Sequence, residues 1–139
     1  MAEWIGIGKR ARRCYGFDEI SLVPGSRTIN PQEVDTAFEL GGKKYKVPIM
    51  AAAMDGVVDV RFAVEMSKLG GIAVLNLDGV QTRYDNPDSV LEKIAHASSQ
   101  EATQLIQSIY TVPIKEKLIA KRIKEIKARK ATAAVSCIP

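Results

Sequence analysis

The sequence predicts an α/β fold in which parallel strands alternate with helices. Two short apolar runs, residues 47–54 and 71–75, lie on either side of a stretch with helical spacing at 59–69. Strands that are buried on both faces of a parallel sheet have this continuous apolar character. A third apolar run, residues 131–137, follows a long helical region. We therefore expect three parallel strands, the first two joined as a right-handed βαβ unit.

The first 46 residues are rich in turn signals and poor in regular periodicity. Pro24-Gly25-Ser26, Asn30-Pro31 and Gly41-Gly42 interrupt them. Short extended pieces fit at 20–23 and 35–40, and Gly41-Gly42 is typical of a hairpin turn leading into 43–46. We expect residues 1–46 to form an irregular N-terminal segment that packs on a larger body made by residues 47–139.

The stretch between the first two apolar runs has the signals of a helix. Phe62, Met66 and Leu69 recur at i, i+4 and i+7, which places them on one helical face. Asp59 is a suitable N-cap, and Gly70 a suitable stop. Residues 47–54, with three consecutive alanines, are expected to form a strand buried on both faces.

Residues 81–130 are polar and helical. Pro87 opens one helix, a second covers about 100–110, and a third covers 114–130. The third helix carries many lysines and arginines, which could contact nucleic acid. Glu116 and Glu125 interrupt the basic residues and no aromatic residues alternate with them, so a solvated amphipathic face is favoured. A nucleic-acid partner is therefore not expected.

Composition narrows the class of protein. The 139 residues carry 20 Lys+Arg and 16 Asp+Glu, a net charge of +4 that is too small to indicate a polyanion partner. Cys14, Cys137 and His96 are the only cysteines and the only histidine, so neither a disulfide framework nor a metal site is expected. No apolar run reaches the roughly 18 residues of a membrane span. These features predict a soluble cytoplasmic protein that does not bind a membrane.

Small and polar residues follow the first two predicted strands. Residues 52–56 come directly after the first strand, and residues 76–79 after the second. Ligands of parallel α/β folds bind beyond the carboxyl ends of the strands. Turns that satisfy only their own backbone are the alternative at both places.

Three motifs in order resemble the start of the IMP dehydrogenase and GMP reductase family. They are YGFDEISLVPGSRTINPQEVD at 15–35, VPIMAAAMDGV at 47–57 and LGGIAVLN at 69–76. The resemblance implies a (β/α)8 barrel, which needs ~250 residues, so this chain would supply only about three of the strands. Typical IMP dehydrogenases insert CBS modules where this chain has helical residues 81–130. In that respect it is similar to an IMP dehydrogenase-related subgroup without CBS modules.

The resemblance also implies roles for four residues. Ala52 and Met54 match the family segment that lines the nucleotide pocket, and Asn76 and Leu77 lie where the dinucleotide binds. Many members have a histidine at the position of Asn76, and a common threonine is replaced by Gly56. The family's catalytic cysteine lies on a later loop that Cys137 does not match, so no catalytic residue is expected in this segment.

The chemistry that the resemblance implies is hydride transfer between a nicotinamide cofactor and C2 of a purine nucleotide. We expect the full-length protein to reduce GMP to IMP and ammonia with NADPH, because reductases also lack CBS modules. NAD-dependent oxidation of IMP to XMP is one alternative, and an inactive fragment that acts as an interaction module is another. A homotetramer or octamer is expected, with the segment alone inactive.

Overall fold

The structure, a computed structural model, describes residues 2–138 of the chain. The chain forms two compact units, of which the first ends at Val34 and the second begins at Asp35. The predicted packing of residues 1–46 on the rest of the chain stays a prediction. So does the role of residues 81–130 as a replacement for CBS modules.

The first unit contains an antiparallel hairpin that the sequence did not predict. Strand β1 (Ala2–Gly6) pairs with β2 (Lys9–Arg12), and the Arg10 guanidinium lies 4.4 Å from the centre of the Trp4 ring. A single 3-10 turn follows at Pro31–Glu33. The extended piece expected at 20–23 is irregular in the structure.

The second unit begins with the predicted hairpin. Strands β3 (Phe38–Leu40) and β4 (Lys43–Tyr45) are antiparallel. Gly41 and Gly42 join them with φ values of +59° and +72°, which only glycine adopts without strain. Tyr45 is buried and stacks on Phe38 with ring centres 5.3 Å apart.

A three-stranded parallel sheet forms the centre of the second unit. Its strands are β5 (Met50–Ala51), β6 (Ile72–Asn76) and β7 (Ala134–Ser136), with β6 in the middle. Met50 pairs with Ile72 and Val74 with Ala134. The expectation of three parallel strands is confirmed.

The expectation that residues 47–54 form a strand buried on both faces is wrong. Only Met50–Ala51 is a strand, and Ile49 and Met50 are 55% and 52% exposed. The physical reason is the position of β5 at the edge of the sheet. Within residues 2–138 it pairs only with β6, so its other side lacks the neighbour that would bury it.

Helix α1 (Val60–Leu69) connects β5 to β6 and begins and ends as predicted. The Asp59 carboxylate accepts a hydrogen bond of 2.6 Å from the Phe62 N–H. Gly70 ends the helix with φ +90°, and a Cβ there would lie 2.7 Å from Lys46 Cβ. One face of α1 packs on a hydrophobic core between the sheet and α5. The buried residues of this core are Val58, Ala63, Ala73, Leu75 and Ile126.

Four helices lie between β6 and β7. They are α2 (Val80–Arg83), α3 (Pro87–His96), α4 (Ser99–Thr111) and α5 (Glu116–Ala128). The three longer helices were predicted, whereas the single turn of α2 was not. Asn86 and Ser98 cap α3 and α4. A second core, centred on Val80, Val90 and Ile109, joins α2, α3 and α4.

Candidate functional site

The candidate site lies at the carboxyl edge of the parallel sheet, where β5, β6 and β7 end side by side. The chain turns tightly after β5, because the Met54 N–H donates to the Ala52 carbonyl at 2.8 Å. The Met54 carbonyl in turn accepts hydrogen bonds of 2.9 Å from the Val57 and Val58 N–H groups. Ala52 is exposed and Met54 is 58% exposed, so this turn presents an open surface.

Asp55 connects this turn to three other elements. Its Oδ1 accepts a hydrogen bond of 3.3 Å from Asn76 Nδ2, at the end of β6. Its Oδ2 accepts one of 3.0 Å from the Val80 N–H, which opens α2, and one from the Tyr110 hydroxyl of α4. Three donors therefore hold one carboxylate, which is the arrangement that fixes a charged side chain in a single orientation.

Gly79 makes room for this carboxylate. A Cβ on Gly79 would lie 1.8 Å from Asp55 Oδ1, although its φ of −99° is available to any residue. Gly79 is also the N-cap of α2 and has no side chain to cap it. Asp55 supplies that cap from 24 residues away in sequence, taking 79 − 55 = 24.

Asn76 is held at both ends of its side chain. Nδ2 donates to Asp55, and Oδ1 accepts a hydrogen bond of 2.9 Å from the Asp78 N–H. Within residues 2–138, one of the two amide hydrogens of Asn76 is donated, to Asp55, which leaves the second for another acceptor. Leu77 instead packs against the core that surrounds Leu75. The structure thus brings Asn76 close to the turn that carries Met54, whereas the Leu77 side chain packs against the core.

Arg83, the last residue of α2, and Tyr84, its C-cap, hold the end of α4 through hydrogen bonds to backbone carbonyls. Arg83 donates from Nε and Nη2 to the Asp78 carbonyl at 3.0 and 2.9 Å, and from Nη1 to the Val112 carbonyl. The Tyr84 hydroxyl donates to the Ile109 carbonyl at 3.0 Å. Tyr110 lies between these two anchored positions, with the Arg83 guanidinium 5.6 Å from its ring centre.

The environment of Tyr110 favours its neutral hydroxyl. Partial burial of the ring raises the pKa of Tyr110 to about 12, and the hydrogen bond to Asp55 and the charge of Asp55 add to the shift. The Arg83 guanidinium acts in the opposite direction. The hydroxyl therefore remains a hydrogen-bond donor at neutral pH.

Arg122 closes the opposite end of α2. This buried guanidinium donates to the carbonyls of Gln81, Tyr84 and Asp85 at 3.0, 3.4 and 3.2 Å, and pairs with Glu125 at 3.2 Å. A groove of about 490 Å³ lies beside it, lined by residues from α1, α2, α3 and α5. Gln81 Nε2 is buried there without a hydrogen-bond partner among the described residues.

No cluster of three or more metal-ligating side chains is present in the part of the chain that the structure describes. Cys14 and Cys137 are both exposed and unpaired with each other. Across residues 2–138, no helix combines the length and the apolar character needed to cross a membrane.

Sequence reasoning did not single out Asp55, Gly79, Arg83 or Tyr110. Asp55 and Gly79 lie within the two stretches that were noted after the strands. Each belongs to an Asp-Gly dipeptide, Asp55-Gly56 or Asp78-Gly79, which is an ordinary turn signal. Tyr110 gives no local signal, because its partner Asp55 lies 55 residues away in sequence. Only the tertiary structure brings them together.

Comparison with known proteins shows the family to which the chain belongs. Residues 14–108 match the model of the IMP dehydrogenase / GMP reductase domain, which is more than half of the chain. The chain belongs to the IMP dehydrogenase/GMP reductase family. The family predicted from the three sequence motifs is therefore confirmed.

Relatives of this family member resemble it over different lengths. An uncharacterized oxidoreductase of Mycolicibacterium smegmatis is 30% identical over 97% of the chain. An inosine-5'-monophosphate dehydrogenase of Methanocaldococcus jannaschii is 36% identical over 48% of the chain and 13% of its own length. The chain spans 37% of the length of the Mycolicibacterium relative.

A solved structure supports the same family. The crystal structure of an IMP dehydrogenase/GMP reductase-like protein from Corynebacterium glutamicum superposes with a TM-score of 0.78 at 30% identity. The superposition covers 96% of this family member and 37% of the Corynebacterium chain. The predicted α/β class is confirmed, and the completion of a barrel belongs to the proposal below.

Proposed function

We propose that this chain forms about three strands of a (β/α)8 barrel in a nicotinamide-dependent purine-nucleotide oxidoreductase. The observation that carries the proposal is the junction at Asp55, which ties the turn after β5 to Asn76 at the end of β6. Both stretches lie at the carboxyl edge of a parallel sheet, where (β/α)8 enzymes bind their substrates. Membership of the IMP dehydrogenase/GMP reductase family supports the same substrate class.

The residues at this edge fit the wall of a nucleotide pocket. Ala52 has a small exposed side chain that leaves space for a ligand to approach the backbone, and Met54 offers an exposed apolar surface for a base or ribose. The amide hydrogen of Asn76 that is not donated to Asp55 among the described residues is the donor that we assign to the cofactor. We assign Leu77 to the cofactor on the family resemblance alone, because its N–H already donates to the Ser136 carbonyl at 2.9 Å and its carbonyl already accepts from the Thr82 hydroxyl at 2.6 Å. A bound nicotinamide supplies the hydride chemistry.

For the direction of the reaction, we propose NADPH-dependent reduction of GMP to IMP and ammonia. The support is the resemblance: helices lie between β6 and β7, where typical IMP dehydrogenases are expected to insert CBS modules, and reductases of the family also lack those modules. NAD-dependent oxidation of IMP to XMP is the second candidate. It is favoured by the relatives from Methanocaldococcus jannaschii and Staphylococcus aureus, both named inosine-5'-monophosphate dehydrogenase.

The proposal extends to assembly and location. A cytoplasmic homotetramer or octamer is proposed for the whole protein, with neither a nucleic acid nor a membrane as partner. The 139 residues alone are proposed to be inactive. An inactive fragment that serves as an interaction module through its basic helix is the remaining candidate from a different class.

The first experiment is an intact mass of the purified protein, followed by parallel assays of GMP with NADPH and of IMP with NAD. A mass well above that of 139 residues, with oxidation of NADPH that depends on GMP, is the expected result. Reduction of NAD that depends on IMP would assign the opposite direction. A mass well above that of 139 residues with neither activity would contradict the enzyme proposal, whereas a mass equal to that of the 139 residues with neither activity is the result proposed for the segment alone.

Met54 offers a test of the pocket itself. We expect Met54→Ala to raise the KM for the purine nucleotide by about tenfold, because it removes most of an apolar contact. Met54→Leu is the matched control, since it retains volume and apolar surface. Equal KM values for wild type and both variants would remove Met54 from the pocket.

A further inference from the structure

We propose that Tyr110 is a positioning residue through which the helical segment 81–130 fixes the turn after β5 and sets the affinity for purine nucleotide. This inference rests on the proposed function. Its structural basis is the hydrogen bond from the Tyr110 hydroxyl to Asp55 Oδ2, which joins two parts of the chain 55 residues apart.

The helical segment holds the backbone on both sides of Tyr110. The flanking carbonyls of Ile109 and Val112 accept hydrogen bonds from Tyr84 and Arg83, and the Ile109 side chain is buried in the core of the helical segment. The end of α4 is thereby fixed relative to α2. A donor that is anchored on both sides can impose a position on its acceptor.

The acceptor is the residue next to Met54. Asp55 lies in the tight turn that exposes Ala52 and Met54, and Gly79 packs so closely on its carboxylate that little space remains for another rotamer. Asp55 also holds Asn76 and the first N–H of α2. A displacement of Asp55 would therefore move Met54 and Asn76 together, although Tyr110 itself has no polar contact with either residue among the described residues.

The test compares Tyr110→Phe with Ser108→Ala in the purified protein. Each variant removes one hydroxyl of α4 that donates a single hydrogen bond, but the Ser108 hydroxyl donates to the Leu105 carbonyl of its own helix at 2.7 Å, whereas the Tyr110 hydroxyl donates to Asp55. Loss of one such bond predicts about fivefold faster amide exchange at residues 52–58 in Tyr110→Phe. Exchange there should equal that of the wild type in Ser108→Ala. Equal exchange in all three proteins, or equal acceleration in both variants, would overturn the proposal.

Kinetics provide a readout that a purely structural role would not move. We expect Tyr110→Phe to raise the KM for the purine nucleotide by about fivefold, with kcat within about twofold of the wild type. In an Asp55→Ala background, which has no acceptor for the Tyr110 hydroxyl, the Tyr110→Phe change should have little further effect, because the two residues act through one contact. A full additional effect in that background would contradict the proposed path through Asp55.

The two measurements separate this inference from the proposed function. Absence of turnover with either nucleotide pair in the wild type would contradict the proposed function and, with it, the effect on nucleotide affinity. Amide exchange would still decide whether Tyr110 positions the turn. Turnover in the wild type with an unchanged KM in Tyr110→Phe would overturn the inference alone.

Discussion

Gly79 lies against the carboxylate of Asp55, so closely that a Cβ added to it would be 1.8 Å from Oδ1. The backbone of Gly79 is in an ordinary extended conformation that any residue can adopt. Glycine is therefore required at this position for lack of space and not for its backbone conformation. The two residues come from turns that follow neighbouring strands. Their contact joins the turns that follow β5 and β6, which are already paired as neighbouring strands.

Gly79→Ala should therefore destabilise the protein. The new methyl group would displace Asp55 from its three donors, and overpacking of this kind costs about 1–3 kcal/mol. The free energy of unfolding in urea measures the loss. Gly56→Ala is the matched control, since no atom lies within 4 Å of a Cβ at that position. Equal stability of the two variants would contradict the packing described for Asp55.

Arg122→Met should also lower stability, because three carbonyls at the end of α2 would lose their donor. Breaking a buried charge network of this kind costs about 3 kcal/mol. Urea unfolding again provides the measurement. Arg129→Met, an exposed position at the end of the same helix, serves as control and should change stability by about 0.5 kcal/mol at most.

The ionisation of Tyr110 should be visible at alkaline pH. Its pKa in the folded protein is about 12, above the ordinary value of 10.0, so the stabilisation that it provides is complete below pH 10. Raising the pH from 10 to 12 removes that stabilisation, since the folded state retains the proton longer than the unfolded state. Ultraviolet titration of tyrosinate should show a group that titrates near pH 12 and that Tyr110→Phe lacks. Loss of an early-titrating group instead would contradict the assignment.

Two variants of Asp59 separate the stabilisation by its N-cap hydrogen bond from the stabilisation by its ion pair with Arg61. Asp59→Ala removes both the hydrogen bond to the Phe62 N–H and the contact with Arg61, and should cost about 1 kcal/mol. Asp59→Asn keeps the cap and removes the charge, and should cost only a few tenths of this because the ion pair is exposed. Thermal unfolding of both variants tests the order. A larger loss in Asp59→Asn would assign the stabilisation to the charge.

Local signals were sufficient for the elements that depend on local chemistry. Asp59 and Gly70 predicted both ends of α1, and Gly41-Gly42 predicted the hairpin. The apolar run at 47–54 predicted a longer and more buried strand than the structure has, because the burial of a strand depends on its neighbours in the sheet. Only one such neighbour pairs with β5 within the described residues.

In the candidate site, too, local sequence predicted some features, whereas others depend on contacts between distant segments. Family motifs identified Ala52, Met54, Asn76 and Leu77 as site residues, and their roles in binding stay predictions. The contacts that hold this edge, from Asp55 to Gly79 and Tyr110, depend on which distant segments meet. Periodicity along one sequence does not contain that information.

The strand order of the sheet has a consequence for how the protein acquires its structure. β6 pairs with β5 across 72 − 50 = 22 residues, from Met50 to Ile72, but with β7 across 134 − 74 = 60 residues, from Val74 to Ala134. The loss of chain entropy on closing a loop grows with its length, so the β5–α1–β6 unit should form first. During synthesis on the ribosome, one edge of β6 then remains open until β7 has emerged, and in that interval the unpaired strand edge exposes the nascent chain to aggregation.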